Sequence, residues 1–150
     1  MLVDIGINLT NNRFDKDRAD VIARAKQAQV HQLIVTGTCQ KTSKQALTLC
    51  QQYPEILTCT AGVHPHDADN VSADYLAELT ALAQSPYVKA IGECGLDFNR
   101  NFSTPENQQR VFSEQIALAA KLSMPLFLHQ RDAFDPWLNL LTPYLDEVPA

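Results

Sequence analysis

Apolar residues fall in short blocks along this chain, packed together in one block and spaced at helical intervals in the next, and the alternation repeats about five times. Residues 2–9 predict a strand that runs out into the polar Thr10, Asn11 and Asn12. Residues 17–30 place Val21, Ile22, Ala25 and Ala28 on one helical face with charges on the other. Residues 32–37, QLIVTG, form a β-branched run closed by glycine, and residues 43–53 give a second helix with Ala46, Leu47, Leu49 and Cys50 as its apolar side, ended by Pro54. A third strand, residues 57–63, stops at His64-Pro65-His66, and residues 73–83 are Ala- and Leu-rich and helical. The fourth strand is read from Val88, Ala90 and Ile91, after which Gly92-Glu93-Cys94-Gly95 predicts a tight turn with Glu93 at the strand's exit. Residues 97–105 read as a loop. Residues 106–122 then predict a long helix with Ser103 or Thr104 as N-cap and Pro105 at its first position. Residues 124–128, MPLFL, are a fifth strand ending at His129, and residues 133–145 a last helix weakened by Pro136 and Pro143.

Short, fully apolar strands alternating with helices predict a parallel sheet covered by helices, either doubly wound or barrel-shaped. In such a sheet the C-terminal strand ends share one side, and side chains far apart in sequence meet there. The ends predicted here carry Asn8, His64 and His66, Glu93, and His129, Arg131 and Asp132. A carboxylate leaving a buried strand is costly unless paired, and a metal ion or a reacting proton is a common partner. Nitrogen and oxygen donors of this kind suit a divalent metal that polarises a phosphoryl or carbonyl oxygen and activates water. Each residue also has a plainer role. Glu93 could cap the next segment, His64 and His66 could belong to an ordinary proline turn, His129 could be a core histidine, and Arg131 could pair with Asp132. His31 stands ahead of a strand, at the wrong end, and is assigned no function; the cysteines and Trp137 read as packing residues.

Composition narrows the field. At 150 residues, 45% hydrophobic and 19% charged, the chain suits one folded domain. A net charge of -5 excludes a broad basic surface for nucleic acid, but not a nuclease that meets phosphate through a metal and a few arginines. Cys39, Cys50, Cys59 and Cys94 show no zinc or CxxC spacing and read as reduced thiols. The first residues, MLVDIGINLT, lack the basic start of a signal peptide, and no run approaches the ~20 apolar residues of a membrane span. The expectation is a cytoplasmic protein with no membrane partner.

Four segments, DIGINLT, GVHPHD, IGECGLDFNR and MPLFLHQRDA, together resemble the TatD family of metal-dependent deoxyribonucleases, within the amidohydrolase-like barrels, in order and across essentially the whole chain. The resemblance implies a TIM-type (β/α) barrel and a Mg²⁺-type divalent cofactor, with Mn²⁺ or Zn²⁺ as alternatives. It also implies hydrolysis of DNA phosphodiesters as a 3′-to-5′ exonuclease on single strands, with a single-stranded DNA or RNA end as the substrate partner. By motif, Glu93 and His129 correspond to metal ligands and His64, with Glu93, to catalytic residues; His66 and Asn8 are assigned to substrate binding. Arg131 is added as a phosphate contact on chemistry and position.

The chain departs from the family pattern twice. Many members carry His-x-His after the first strand, where Gly6 and Asn8 stand here; two imidazoles of one metal site are thereby missing. A complete barrel has eight βα units and ~250 residues, whereas residues 1–150 supply about five, read as the N-terminal part of a single barrel domain. The family's histidine after the sixth strand and aspartate after the eighth fall outside this sequence. An incomplete barrel exposes the edges of strands one and five, which predicts self-association, or that the chain is part of a longer protein, and strongly reduced nuclease activity of these residues alone. Two competing readings are a related metallohydrolase of amides, esters or lactones, and a non-catalytic fragment kept as an interaction partner.

Overall fold

The computed structural model describes residues 1–149. Five strands and five helices alternate in the order β1 (Leu2–Ile7), α1 (Arg18–Gln27), β2 (Val30–Val35), α2 (Gln40–Gln52), β3 (Leu57–Ala61), α3 (Tyr75–Ala83), β4 (Val88–Asp97), α4 (Pro105–Leu122), β5 (Leu126–Arg131) and α5 (Phe134–Leu141). Short 3₁₀ turns occupy Asn12–Phe14, Pro65–Asn70 and Thr142–Tyr144. The strands form one sheet in the order β1-β2-β3-β4-β5, every neighbouring pair parallel. Chain order equals sheet order, which is the arrangement of consecutive units of a (β/α) barrel, here a half-barrel.

Burial follows from position in the sheet. The central β3 is buried at every residue, as a parallel strand covered on both faces must be. Leu33, Val35, Leu57, Cys59, Ala61 and Ile91 of the sheet share one core with Ile22, Ala46, Leu49, Cys50, Leu79, Val111 and Ala119 of the helices. A second cluster under the end of β4 joins Cys94, Leu96, Phe112, Ile116 and Leu141. Toward the outside the covering thins: β1 pairs only with β2 and β5 only with β4 among the described residues, and Leu2, Val3 and Ile5 of β1 are exposed. All four cysteines are free, and Cys50, Cys59 and Cys94 are buried. Among the described residues no helix is long and apolar enough to cross a membrane.

Several boundaries differ from the sequence reading. The largest difference is β4, which does not turn at Gly92 but continues to Asp97. Its backbone stays paired with β5 from Ile91 opposite Leu126 to Asp97 opposite Arg131, with an irregularity between Gly92 and Cys94. The turn chemistry of Gly-Glu-Cys-Gly is overridden by a partner strand more than thirty residues away. Gly95 makes the pairing feasible: its φ is +148°, and a Cβ there would lie 1.8 Å from the carbonyl oxygen of His129. Likewise β5 runs on to Arg131, so His129 lies within the strand rather than after it. β1 ends at Ile7, and Leu9 turns into the core. β2 begins at Val30, which puts His31 inside it, exposed.

The helix signals hold where a cap supports them. Thr104 accepts from the Asn107 amide ahead of Pro105, the first residue of α4. α2 starts three residues earlier than its apolar face suggests, because the Thr42 hydroxyl accepts from the Cys39 amide and closes the first turn. Pro136 sits in the first turn of α5, where a missing N–H costs nothing, and Pro143 in the 3₁₀ turn beyond it.

Candidate metal centre

The exit of β3 and the middle of β4 approach each other closely because both carry glycine there. A Cβ on Gly62 would fall 2.4 Å from Gly92 Cα. Immediately after Gly62 and Val63 comes His64, whose amide donates to the Thr38 carbonyl (2.8 Å). His64 Nδ1 accepts from the His66 amide at 3.2 Å. An imidazole that accepts at Nδ1 and is neutral carries its proton on Nε2. That Nε2 faces Glu93 Oε1 at 3.8 Å. Burial holds the His64 pKa down at about 4, so the ring is neutral at physiological pH.

Glu93 is fixed from the other side. Its amide donates to the Gly37 carbonyl beyond β2 (2.8 Å), and its carboxylate accepts from His129 Nδ1 at 3.2 Å. Burial works against this carboxylate, but the hydrogen bond from His129 and the neighbouring imidazoles outweigh it and keep its pKa below the ordinary value. The hydrogen bond to Glu93 in turn raises His129. His129 Nε2 is buried and has no hydrogen-bond partner; Asp97 Oδ2 stands off at 3.6 Å.

Asp97 is the carboxylate that the sequence reading left in a loop. It is 1% exposed and fully engaged. Oδ1 accepts from the amides of Asn99 and Arg100, both at 3.0 Å, and Oδ2 accepts from His66 Nε2 at 2.7 Å. Burial alone would push this group up; the two amides and His66 more than offset that and bring its pKa down to about 2. A signal for it was present. If β4 is extended past Glu93, residues 93, 95 and 97 alternate onto one face, so the same geometry that presents Glu93 presents Asp97.

Two buried glutamines of α4 brace these exits. Gln115 accepts from the Val63 amide (2.8 Å) and donates to the Val63 carbonyl (3.0 Å). Gln108 accepts from the Asp97 amide (2.9 Å) and donates to the carbonyls of Asp97 (3.2 Å) and Ser103 (2.9 Å).

Of the sequence-predicted residues, His64, Glu93 and His129 converge, each offering one donor atom within 4.8 Å of the others. His66 joins them through ring contacts, 4.3 Å from His64 between centroids, and through Asp97. Asn8 and Arg131 stand outside this hydrogen-bonded set. Asn8 is exposed beyond β1. Arg131 is exposed at the end of β5 and has no ion pair among the described residues; Asp132 accepts instead from Asn99 (3.0 Å). The cluster suits a divalent cation. Donors bound to one ion at about 2.0–2.2 Å stand about 3–4 Å apart, which the 3.2 and 3.8 Å separations match. Two carboxylates with lowered pKa values flank His129, Glu93 at 3.2 Å from Nδ1 and Asp97 at 3.6 Å from Nε2, and favour positive charge there.

Comparison with known proteins bears on this geometry. The family model for TatD related DNase matches residues 3–148. The 3′-5′ ssDNA/RNA exonuclease TatD of Pectobacterium parmentieri (strain WPP163) is 54% identical over 149 residues, an alignment covering 99% of this chain and 57% of that protein. The protein of that name from Shigella flexneri serotype 5b (strain 8401) is 52% identical with the same coverage. Among solved structures, an uncharacterized amidohydrolase from Saccharomyces cerevisiae superposes with a TM-score of 0.86 at 30% identity, over 97% of this chain and 52% of that one. A TatD homologue from Escherichia coli k12 gives 0.86 at 29% identity, over 95% and 56%. The chain thus spans little more than half the length of the relatives it matches.

Proposed function

Because this chain belongs to the family of TatD-related DNases, we propose that it supplies the N-terminal units of a barrel that hydrolyses phosphodiesters at the 3′ end of single-stranded DNA or RNA. The observation that carries this reading is the convergence of His64, from the exit of β3, with Glu93 of β4 and His129 of β5 onto one point.

Glu93 and His129 would hold a divalent ion, of the Mg²⁺ type with Mn²⁺ or Zn²⁺ as alternatives. Such an ion supplies charge to polarise a phosphoryl oxygen and to lower the pKa of an attacking water. Glu93, ionised at neutral pH, faces His129 Nδ1 at 3.2 Å, so an ion shared by the two would take the place of that hydrogen bond. His64 takes a different part. With Nδ1 occupied by the His66 amide, it offers an Nε2 proton to a phosphate oxygen, and its low pKa keeps it a neutral donor. Asp97 orients His66 beside it. Arg131 and Asn8, exposed at the ends of β5 and β1, would meet phosphates further along the strand.

The test is release of mononucleotides from 5′-labelled single-stranded DNA and RNA with added Mg²⁺, compared with Glu93→Gln. The expected result is slow, metal-dependent shortening from the 3′ end by the wild-type chain and none by the variant. Hydrolysis of small esters or lactones without cleavage of either nucleic acid would overturn it.

A further inference from the structure

A metal and a few polar donors can hold a phosphate, but they give a nucleotide's base nothing to rest on. The loop after β4 carries the group that could. Phe102 is 63% exposed, which is unusual for a large apolar side chain in a segment otherwise tied down. On one side of it Asp97 Oδ1 binds the amides of Asn99 and Arg100, and Asn101 Nδ2 donates to the Phe98 carbonyl at 2.9 Å. On the other side Ser103 is 1% exposed, and its hydroxyl donates to the His66 carbonyl (2.9 Å) while accepting from the Asp69 amide (3.0 Å). The ring is therefore held out into solvent by a braced turn.

Its surroundings point to a nucleobase. Phe102 lies 4.8 Å from the His66 ring at 86°, and His66 lies 4.3 Å from His64 at 76°, so the exposed ring ends a row of aromatic contacts that leads to the metal cluster. The Arg100 guanidinium carbon lies over one face of the Phe102 ring, 5.8 Å from its centroid. An exposed aromatic ring paired with a cation is the combination with which proteins bind single strands irrespective of sequence, the ring stacking on a base while the cation meets backbone phosphate.

We propose that Phe102 is the stacking platform for the base at the 3′ end, with Arg100 beside it for the adjoining backbone. This rests on the reading that the substrate is nucleic acid. It adds that the end is recognised through its π face, so that DNA and RNA ends of any base are accepted while an end without a base is not.

The experiment compares wild type, Phe102→Ala and Phe102→Trp, using fluorescein-labelled single-stranded decamers with either a normal or an abasic 3′ end. Binding is followed by anisotropy and cleavage by gel with Mg²⁺. Wild type and Phe102→Trp should prefer the normal end, and Phe102→Ala should lose about 5- to 100-fold in affinity for it with little change on the abasic end. The added indole fluorescence of Phe102→Trp, corrected for Trp137 by the wild-type signal, should be quenched by the normal end only. Equal binding by wild type and Phe102→Ala, or an equal loss on both ends, overturns the platform while leaving the hydrolase reading intact if wild type still cleaves. Base-dependent binding by wild type and Phe102→Trp without cleavage by wild type overturns the hydrolase reading alone, and binding of neither decamer overturns both.

Discussion

Replacing Asp97 by asparagine removes one charge and little else. The amide oxygen can still accept from the Asn99 and Arg100 amides, and the new Nδ2 can meet His66 Nε2 once that ring moves its proton to Nδ1. What is lost is the preference of the folded state for an ionised carboxylate at this position. That preference is the fall in pKa from 3.8 to about 2. At 1.36 kcal/mol per pKa unit it amounts to about 2.5 kcal/mol of stability at neutral pH. The sign follows from the direction: a carboxylate with a lowered folded-state pKa contributes fully above its unfolded value near 4, and its contribution fades as pH falls toward 2. About half should remain at pH 3. Urea unfolding of wild type and Asp97→Asn in EDTA, at pH 7 and again at pH 3, measures both quantities. A gap below about 0.5 kcal/mol at pH 7, or one that does not shrink at pH 3, would refute the assignment of this energy to charge.

Three further outcomes are expected. Titration calorimetry with Mn²⁺ should show at least about a tenfold weaker site in Glu93→Gln and in His129→Ala than in wild type, since losing a ligand should matter no less than losing a partner behind one; unchanged affinity would place the ion elsewhere. Gly95→Ala should destabilise the fold by more than about 2 kcal/mol in urea and lower Mn²⁺ affinity as well, because a Cβ 1.8 Å from the His129 carbonyl at φ +148° must push β5 and its histidine away. Gln115→Leu should cost about 2–4 kcal/mol in the same assay by leaving the buried amide and carbonyl of Val63 without partners.

The strands that could be read from sequence are those whose evidence is local. QLIVTG and LTCTAGV are apolar, β-branched and closed by glycine or a histidine-proline turn, and they became β2 and β3. The cap of α4 was equally readable, because Thr104 and Pro105 act within one turn of themselves. The course of β4 beyond Ile91 was not. Gly-Glu-Cys-Gly is turn-like by composition, and only pairing with β5, supplied by tertiary structure, keeps it extended. That one misreading hid Asp97, assigned to a loop although it shares a face with Glu93. Convergence of His64, Glu93 and His129 followed from a topological rule, that parallel strand ends share a side, and needed no distances. The same rule gathered Asn8 and Arg131 to that rim but could not show that both face solvent. Exposure is set by what packs beside a strand end, and sequence spacing does not carry that information.

Gln108 and Gln115 stand two turns apart on α4, and each grips the exit of a different strand. Any tilt or slide of that helix therefore drags the backbone around His64 and around Asp97 in the same direction. A reaction that tolerates errors of only a fraction of an ångström is better served by two mounts on one beam than by two independent posts.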